Sequence, residues 1–361
     1  MRKIIAGMVA ALLAAVSAFP VQAISAASAV VLDASTGRIL YEKNADRQGL
    51  IASTTKIMTA LVICERTNVL DRVRIPKEAV GIEGSSMYLQ EGEVLTVQEL
   101  LYGLMLRSGN DAATALAIYC GGTVEGFAQL MNDKAHALNL QNTHFMNPHG
   151  LDSPGHYSTA RDMAVLTAYA MQNPIFAHTV STKTVTVGSR SLRNHNKLLW
   201  QIEGAEGVKT GYTKAAGRIL VSSTCRNGRR LIVVTMNAPD DWADHKTLIE
   251  EGFKSYTAVP LVEPGQCMGH FSVVGGTAEQ VDVVAAEGFS FSLRKEERVS
   301  YVLQPPGFVY APVAENQDAG YVYVLVDGVA VGKIPLRYGS TVEMQNDPKI
   351  SLWDKIFRRA G

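Results

Sequence analysis

The sequence lacks an excess of charge of either sign: 34 lysines and arginines face 34 aspartates and glutamates. Broad attraction to nucleic acid or another polyanion is therefore excluded, and any electrostatic specificity must be local. Cysteine is scarce. Cys64, Cys120, Cys225 and Cys267 are widely spaced and none forms a CxxC, so a disulfide framework is not expected. Cys64 and Cys120 each end an apolar helical run and Cys225 sits in an apolar strand, which reads as buried free thiols without chemistry. There is no internal repeat and no low-complexity tract. The N-terminal apolar run, residues 4–19, is shorter than the roughly 20 residues a bilayer span needs.

What is present begins with an export signal. Arg2 and Lys3 precede that run and Val21-Gln22-Ala23 follows it, the layout of a signal peptide over 1–23 with a mature start near Ile24. The expected location is the outer face of the cytoplasmic membrane or the periplasm. The full length of 361 residues suffices for one large and one small domain.

Residues 29–32 and 38–41 read as strands around Asp33-Ala34-Ser35-Thr36-Gly37. Apolar spacing predicts helices over 54–64, 97–106 and 112–119, and another over 163–171 behind a capping box of Thr159 and Asp162. Residues 218–225 and 230–236 flank Asn227-Gly228, a hairpin signal. Near Val259 the pattern breaks at Pro260, Pro264 and Gly265. Short strands follow over 271–274, 281–284, 299–303 and 322–326, and Asp327-Gly328 opens a hairpin into 329–334. The reading is a catalytic domain over 24–258 and a small all-β domain over 261–343. Over 348–361, Leu352, Trp353, Ile356 and Phe357 share a helical face opposite Lys355, Arg358 and Arg359, as in a helix lying on a membrane surface.

Three short pieces carry the chemistry. Ser53-Thr54-Thr55-Lys56 places a hydroxyl and an amine at i and i+3, one helical face apart. Serine needs a base within hydrogen-bond reach, and lysine serves only when neutral. Burial, the positive end of a helix and a second cation, for which Lys209 is the candidate, each favour the neutral amine. Ser108-Gly109-Asn110 sits between two helical runs and can point a hydroxyl and an amide into a cleft. Lys209-Thr210-Gly211 fits a strand edge where lysine meets a carboxylate, Thr210 adds a hydroxyl and Gly211 allows close approach of substrate backbone. Each alone is ordinary as a helix cap, a turn or a strand start. Their order and their element types are those of serine acyl-transfer enzymes.

With Ser108-Gly109-Asn110-Asp111-Ala112, Gly150-Leu151-Asp152 and Lys209-Thr210-Gly211-Tyr212-Thr213, the chain resembles the serine-type D-alanyl-D-alanine carboxypeptidases, low-molecular-mass penicillin-binding proteins, over nearly its whole length. The resemblance implies a penicillin-binding/β-lactamase-like transpeptidase fold of the α/β (α+β) class, an antiparallel sheet with helices, plus a small all-β C-terminal domain. It further implies that Ser53 attacks the carbonyl between two terminal D-alanines while Lys56 accepts its proton. Ser108 would relay a proton to the leaving amine, and Asn110 would hold the substrate amide and Lys56. Lys209 and Thr210 would bind the terminal carboxylate, with Gly211 beside them, and the backbone N–H groups of Ser53 and Tyr212 would form the oxyanion hole. The implied partners are peptidoglycan stem peptides ending in D-Ala-D-Ala, β-lactam antibiotics as covalent inhibitors and the membrane surface, with no nucleic acid, cofactor or metal.

Rival readings fare less well. A class A β-lactamase needs a glutamate in a Glu-x-x-Leu-Asn segment, and here Ala135 precedes Leu138-Asn139. A metal peptidase would draw on His144, His149, Asp152 and His156, but these match no helical ligand motif and lie in a turn-rich stretch. A β-lactam-binding wall sensor without turnover has no need to keep Ser53, Lys56 and Lys209 together.

Overall fold

The computed structural model describes residues 24–304 and 307–345, in two compact units that divide between Tyr256 and Thr257. The expected signal peptide over 1–23 and the terminal helix over 348–361 lie outside the described residues.

The first unit opens with β1 (Ser28–Asp33) and β2 (Ile39–Lys43), then a 3-10 turn, Ala52–Thr55, running into α1 (Lys56–Arg66). A two-stranded ribbon of β3 (Arg72–Arg74) and β4 (Val94–Thr96) leads into α2 (Val97–Leu106), α3 (Asn110–Gly121) and α4 (Val124–Ala137). After α5 (Ala160–Ala170) and α6 (Pro174–Ser181) comes the pair β5 (Thr184–Val187) and β6 (Arg190–Arg193), then the short α7 (Leu198–Gln201). The unit closes with β7 (Ala205–Thr213), β8 (Gly217–Arg226), β9 (Arg229–Met236) and α8 (Asp241–Ser255). Its main sheet runs β2-β1-β9-β8-β7 with every pairing antiparallel. The β8–β9 hairpin turns at Asn227 and Gly228, both with positive φ, as its two-residue loop requires.

Both faces of this sheet are covered. Val30, Leu32, Ile232 and Val234 join the core built with the helical block, whereas Ala29, Val31, Leu231 and Val233 pack with Leu248 and Ile249 of α8. β1 is buried at all six positions, which is why residues 29–32 form an apolar run without alternation.

Helix ends follow local chemistry. Thr96 and Glu99 form a reciprocal capping box on α2. Thr159 caps α5 by accepting the Asp162 N–H, but the Asp162 carboxylate accepts instead from Asn142 N–H at 2.9 Å and the Thr143 hydroxyl at 2.7 Å. Half of the box expected there is thus redirected to tie down the preceding loop.

The second unit pairs β10 (Thr257–Val262) with β13 (Phe289–Leu293). It also holds a six-stranded sheet ordered β14-β16-β17-β12-β11-β15. Those strands are β11 (Cys267–Val274), β12 (Gln280–Ala285), β14 (Val299–Gln304), β15 (Phe308–Tyr310), β16 (Asp318–Val326) and β17 (Val329–Tyr338). Alternate residues such as Phe271, Val273, Val281, Val283, Val322 and Val324 fill its core.

The cysteines correct one expectation. All four are free, but only Cys64 is buried; Cys120 and Cys225 are half-buried and Cys267 is exposed. Each of the first three does sit in its expected helix or strand; the apolar context did not specify which face the thiol takes.

Candidate active site

The turn that precedes α1 leaves one residue half-buried. Ile51, Ala52, Thr54 and Thr55 are buried and Ser53 between them is not. Ala52 is held at φ 44, and Thr54 donates from both N–H and hydroxyl to Ile51 O. Ser108 also lies in the left-handed region, at φ 62. Such conformations in non-glycine residues cost on the order of 1–3 kcal/mol and collect where side chains must be aimed.

Lys56, the first residue of α1, is fully buried. Its Nζ lies 2.7 Å from Asn110 Oδ1, 2.6 Å from His149 O and 3.2 Å from Ser53 Oγ. Burial first and the charge of Lys209 second push its pKa well below the usual lysine value, with Asp111 opposing. A neutral amine has two hydrogens and one lone pair. The amide oxygen and the backbone carbonyl can only accept, so they take the two hydrogens and the lone pair is left for the Ser53 hydroxyl to donate into.

Asn110 is fixed from behind, its Nδ2 donating to Glu83 O at 2.5 Å and its N–H to Ser85 O. Asp111 accepts from the N–H groups of Met87 and Leu89 and from the Ser86 hydroxyl, pinning the loop over 83–89 beside the site. The loop over 147–156 closes the other side. His156 accepts the Met146 N–H at Nδ1, so its Nε2 carries the hydrogen that faces Thr55 Oγ1 at 2.8 Å. Burial holds His149 and His156 neutral, at about 3 and about 4. Gly150 (φ +88) packs so tightly on the turn carrying Ser53 that a Cβ would stand 1.8 Å from Ala52 O.

β7 forms the far wall. Ser53, Ser108, Thr210, Gly211 and Tyr212 line a cleft of about 380 Å³ together with Ser85, His195, Lys197, Arg218, Asp241 and Trp242. Strand alternation turns Lys209 away from Thr210. Lys209 is buried, donates to Thr210 O at 2.9 Å and has its pKa lowered to about 7 by burial. Gly211 lies against the turn that carries Ser53, since a Cβ there would meet Ile51 O at 3.2 Å. Lys56 is thus in direct contact with both Ser53 and Asn110, Ser108 and residues 210–212 share the cleft of Ser53, and buried Lys209 lies near enough for its charge to act on Lys56. Sequence reasoning missed the His149 carbonyl, the Asp111 anchor and the cleft residues Arg218, Asp241 and Trp242. Of the histidines in this loop, His144 Nδ1 pairs with Gly155 O, and His156 bridges the Met146 N–H to Thr55 on the turn before α1.

A family model described as D-alanyl-D-alanine carboxypeptidase matches residues 14–240, and one described as penicillin-binding protein 5, C-terminal domain, matches 256–344. The chain belongs to the D-alanyl-D-alanine carboxypeptidase family. It is 32% identical to the D-alanyl-D-alanine carboxypeptidase DacF of Bacillus subtilis, over 86% of this chain and 84% of that protein. Identity to DacA of Escherichia coli is also 32%, over 92% and 86%. Among solved structures, penicillin binding protein 5 of Haemophilus influenzae superposes with a TM-score of 0.79 at 31% identity, covering 89% of this chain and 98% of that one. Penicillin binding protein 6B of Escherichia coli gives 0.72 at 30%, covering 88% and 97%. These carboxypeptidase relatives have the penicillin-binding fold and the all-β C-terminal domain expected from the sequence.

Proposed function

We propose that this carboxypeptidase removes the terminal D-alanine from peptidoglycan stem peptides ending in D-Ala-D-Ala, through an acyl-enzyme on Ser53. The observation that carries the reading is the three-oxygen environment of Lys56 Nζ, which leaves a lone pair only for Ser53. Ser53 Oγ attacks the penultimate carbonyl as its proton passes to Lys56. Negative charge on the carbonyl oxygen falls to the N–H groups of Ser53 and Tyr212. The nitrogen of the leaving D-alanine takes a proton through Ser108, its C–N bond breaks, and water then cleaves the Ser53 ester. Thr210 and Lys209 receive the terminal carboxylate, the one with a hydroxyl and the other with positive charge. A β-lactam acylates Ser53 by the same attack. Buried Ala135 brings no carboxylate that would speed its release.

The test follows D-alanine release and labelling by a fluorescent penicillin across pH. Ser53→Ala should lose both. The wild type should fall off in acid, where Lys56 gains a proton, and in alkali, where Lys209 loses one. Lys209→Met should raise KM and remove the alkaline limb. Because the charge of Lys209 lowers the Lys56 pKa, its loss should also move the acid limb to higher pH. A Ser53→Ala variant that still takes the label, or a Lys209→Met profile identical to wild type, overturns these roles.

Export and a membrane-surface contact by residues 348–361 complete the reading, supported by the basic and apolar faces of that segment. The described residues contain no helix long and apolar enough to cross a membrane. The full chain should co-sediment with anionic vesicles and a chain ending at residue 345 should not; equal sedimentation removes the proposal.

A further inference from the structure

In the second unit, β11 and β12 pair with His270 opposite Asp282 and Cys267 opposite Val284. Residues three apart on a regular strand point to opposite faces, which would separate Cys267 from His270. The register shifts between Cys267 and Gly269, so three steps along β11 match two along β12. This bulge turns Cys267 onto the face that carries His270 and Asp282.

The three side chains converge there. His270 Nδ1 lies 2.7 Å from Asp282 Oδ1, and one thiol, one imidazole and one carboxylate atom all fall within 4.8 Å of one another. All three residues are exposed, while Phe271, Val281 and Val283 between them point into the core, so the donors stand on a packed sheet. Gly339 alongside donates its N–H to Asp282 O at 2.9 Å and brings no side chain to cover the carboxylate.

We propose that Cys267, His270 and Asp282 bind one divalent transition-metal ion. Mixed sulfur, nitrogen and oxygen donors suit zinc, whose charge a thiolate and a carboxylate balance, and three protein ligands leave the fourth tetrahedral position to water. On binding, the Cys267 thiol proton goes to solvent. For ligation through Nδ1 the imidazole hydrogen sits at Nε2. The site belongs to the C-terminal unit and is independent of the acyl-transfer chemistry at Ser53.

The full chain, freed of metal with a chelator, is titrated with Co²⁺ and followed by the thiolate-to-cobalt charge-transfer absorption, then competed with Zn²⁺ against a chromophoric chelator. One ion per chain is expected, with the charge-transfer band absent from Cys267→Ser. Partners outside the first coordination sphere already cost on the order of 10–100-fold in affinity, so His270→Ala and Asp282→Ala should each weaken zinc binding by about tenfold or more. Circular dichroism and thermal unfolding of the full chain check that each variant is folded. Should a variant fail that check, alkylation of the native chain gives the same readout, because zinc should protect exposed Cys267 from iodoacetamide. Absence of a charge-transfer band from the native chain, unchanged zinc affinity in folded His270→Ala, or no protection of Cys267 overturns the proposal.

Discussion

Replacing Lys56 with methionine is expected to slow acylation of Ser53 by on the order of 10²–10⁴-fold, the range contributed by a positioned general base. Methionine fills much the same buried volume but has no lone pair to take the hydroxyl proton, and it leaves Asn110 Oδ1 and His149 O without the donor they share. Arginine should not rescue, because a guanidinium keeps its charge and cannot act as the base. Stopped-flow labelling by a penicillin reads the acylation step directly, and thermal unfolding separates lost chemistry from lost fold. A Lys56→Met chain that acylates within a few-fold of wild type would mean that another group takes the proton.

Gly150→Ala should be the most damaging change to the site that removes no functional side chain. Its Cβ would stand 1.8 Å from Ala52 O and 2.8 Å from Thr55 Oγ1. Those atoms belong to the turn that aims Ser53, and the neighbouring His149 carbonyl holds Lys56. Left-handed backbone alone costs an alanine roughly 1–2 kcal/mol. Gly155→Ala isolates that part, because Gly155 (φ +82) lies in the same loop with its nearest neighbour, Met146 Sδ, at 3.6 Å. Gly150→Ala should therefore unfold at a clearly lower temperature than Gly155→Ala and acylate more slowly while folded. Equal melting temperatures and acylation rates in the two variants would show that the loop yields without moving the nucleophile.

The parts of this design that were readable in the sequence are those written locally. Asn227-Gly228 forces its hairpin, and the apolar spacing from Ile57 to Cys64 makes a helix whichever core it meets. Ser53 and Lys56 lie three positions apart, so one turn of chain brings them together. What was missed depends on distant chain. The acceptor at residue 149 is a carbonyl that every residue type possesses, and it reaches Lys56 across a separation of 93 positions. Asp111 gave no local sign that it would collect N–H groups from residues 87 and 89. The burial of Lys209 had no local sign either, because a lysine on a strand is ordinarily left in water.

The covering of the main sheet by α8 decides how short a working piece of this enzyme can be. A fragment trimmed at residue 240, where the carboxypeptidase family match stops, would keep Ser53, Lys56, Asn110 and Lys209. It would lose Leu248 and Ile249 and lay bare Val31, Leu231 and Val233, a greasy surface that invites aggregation. It would also remove Asp241, Trp242 and Asp244, two of which line the cleft and one of which clasps Ser25 and Ala26. The natural place to cut is after Tyr256, whose ring is buried in that same core.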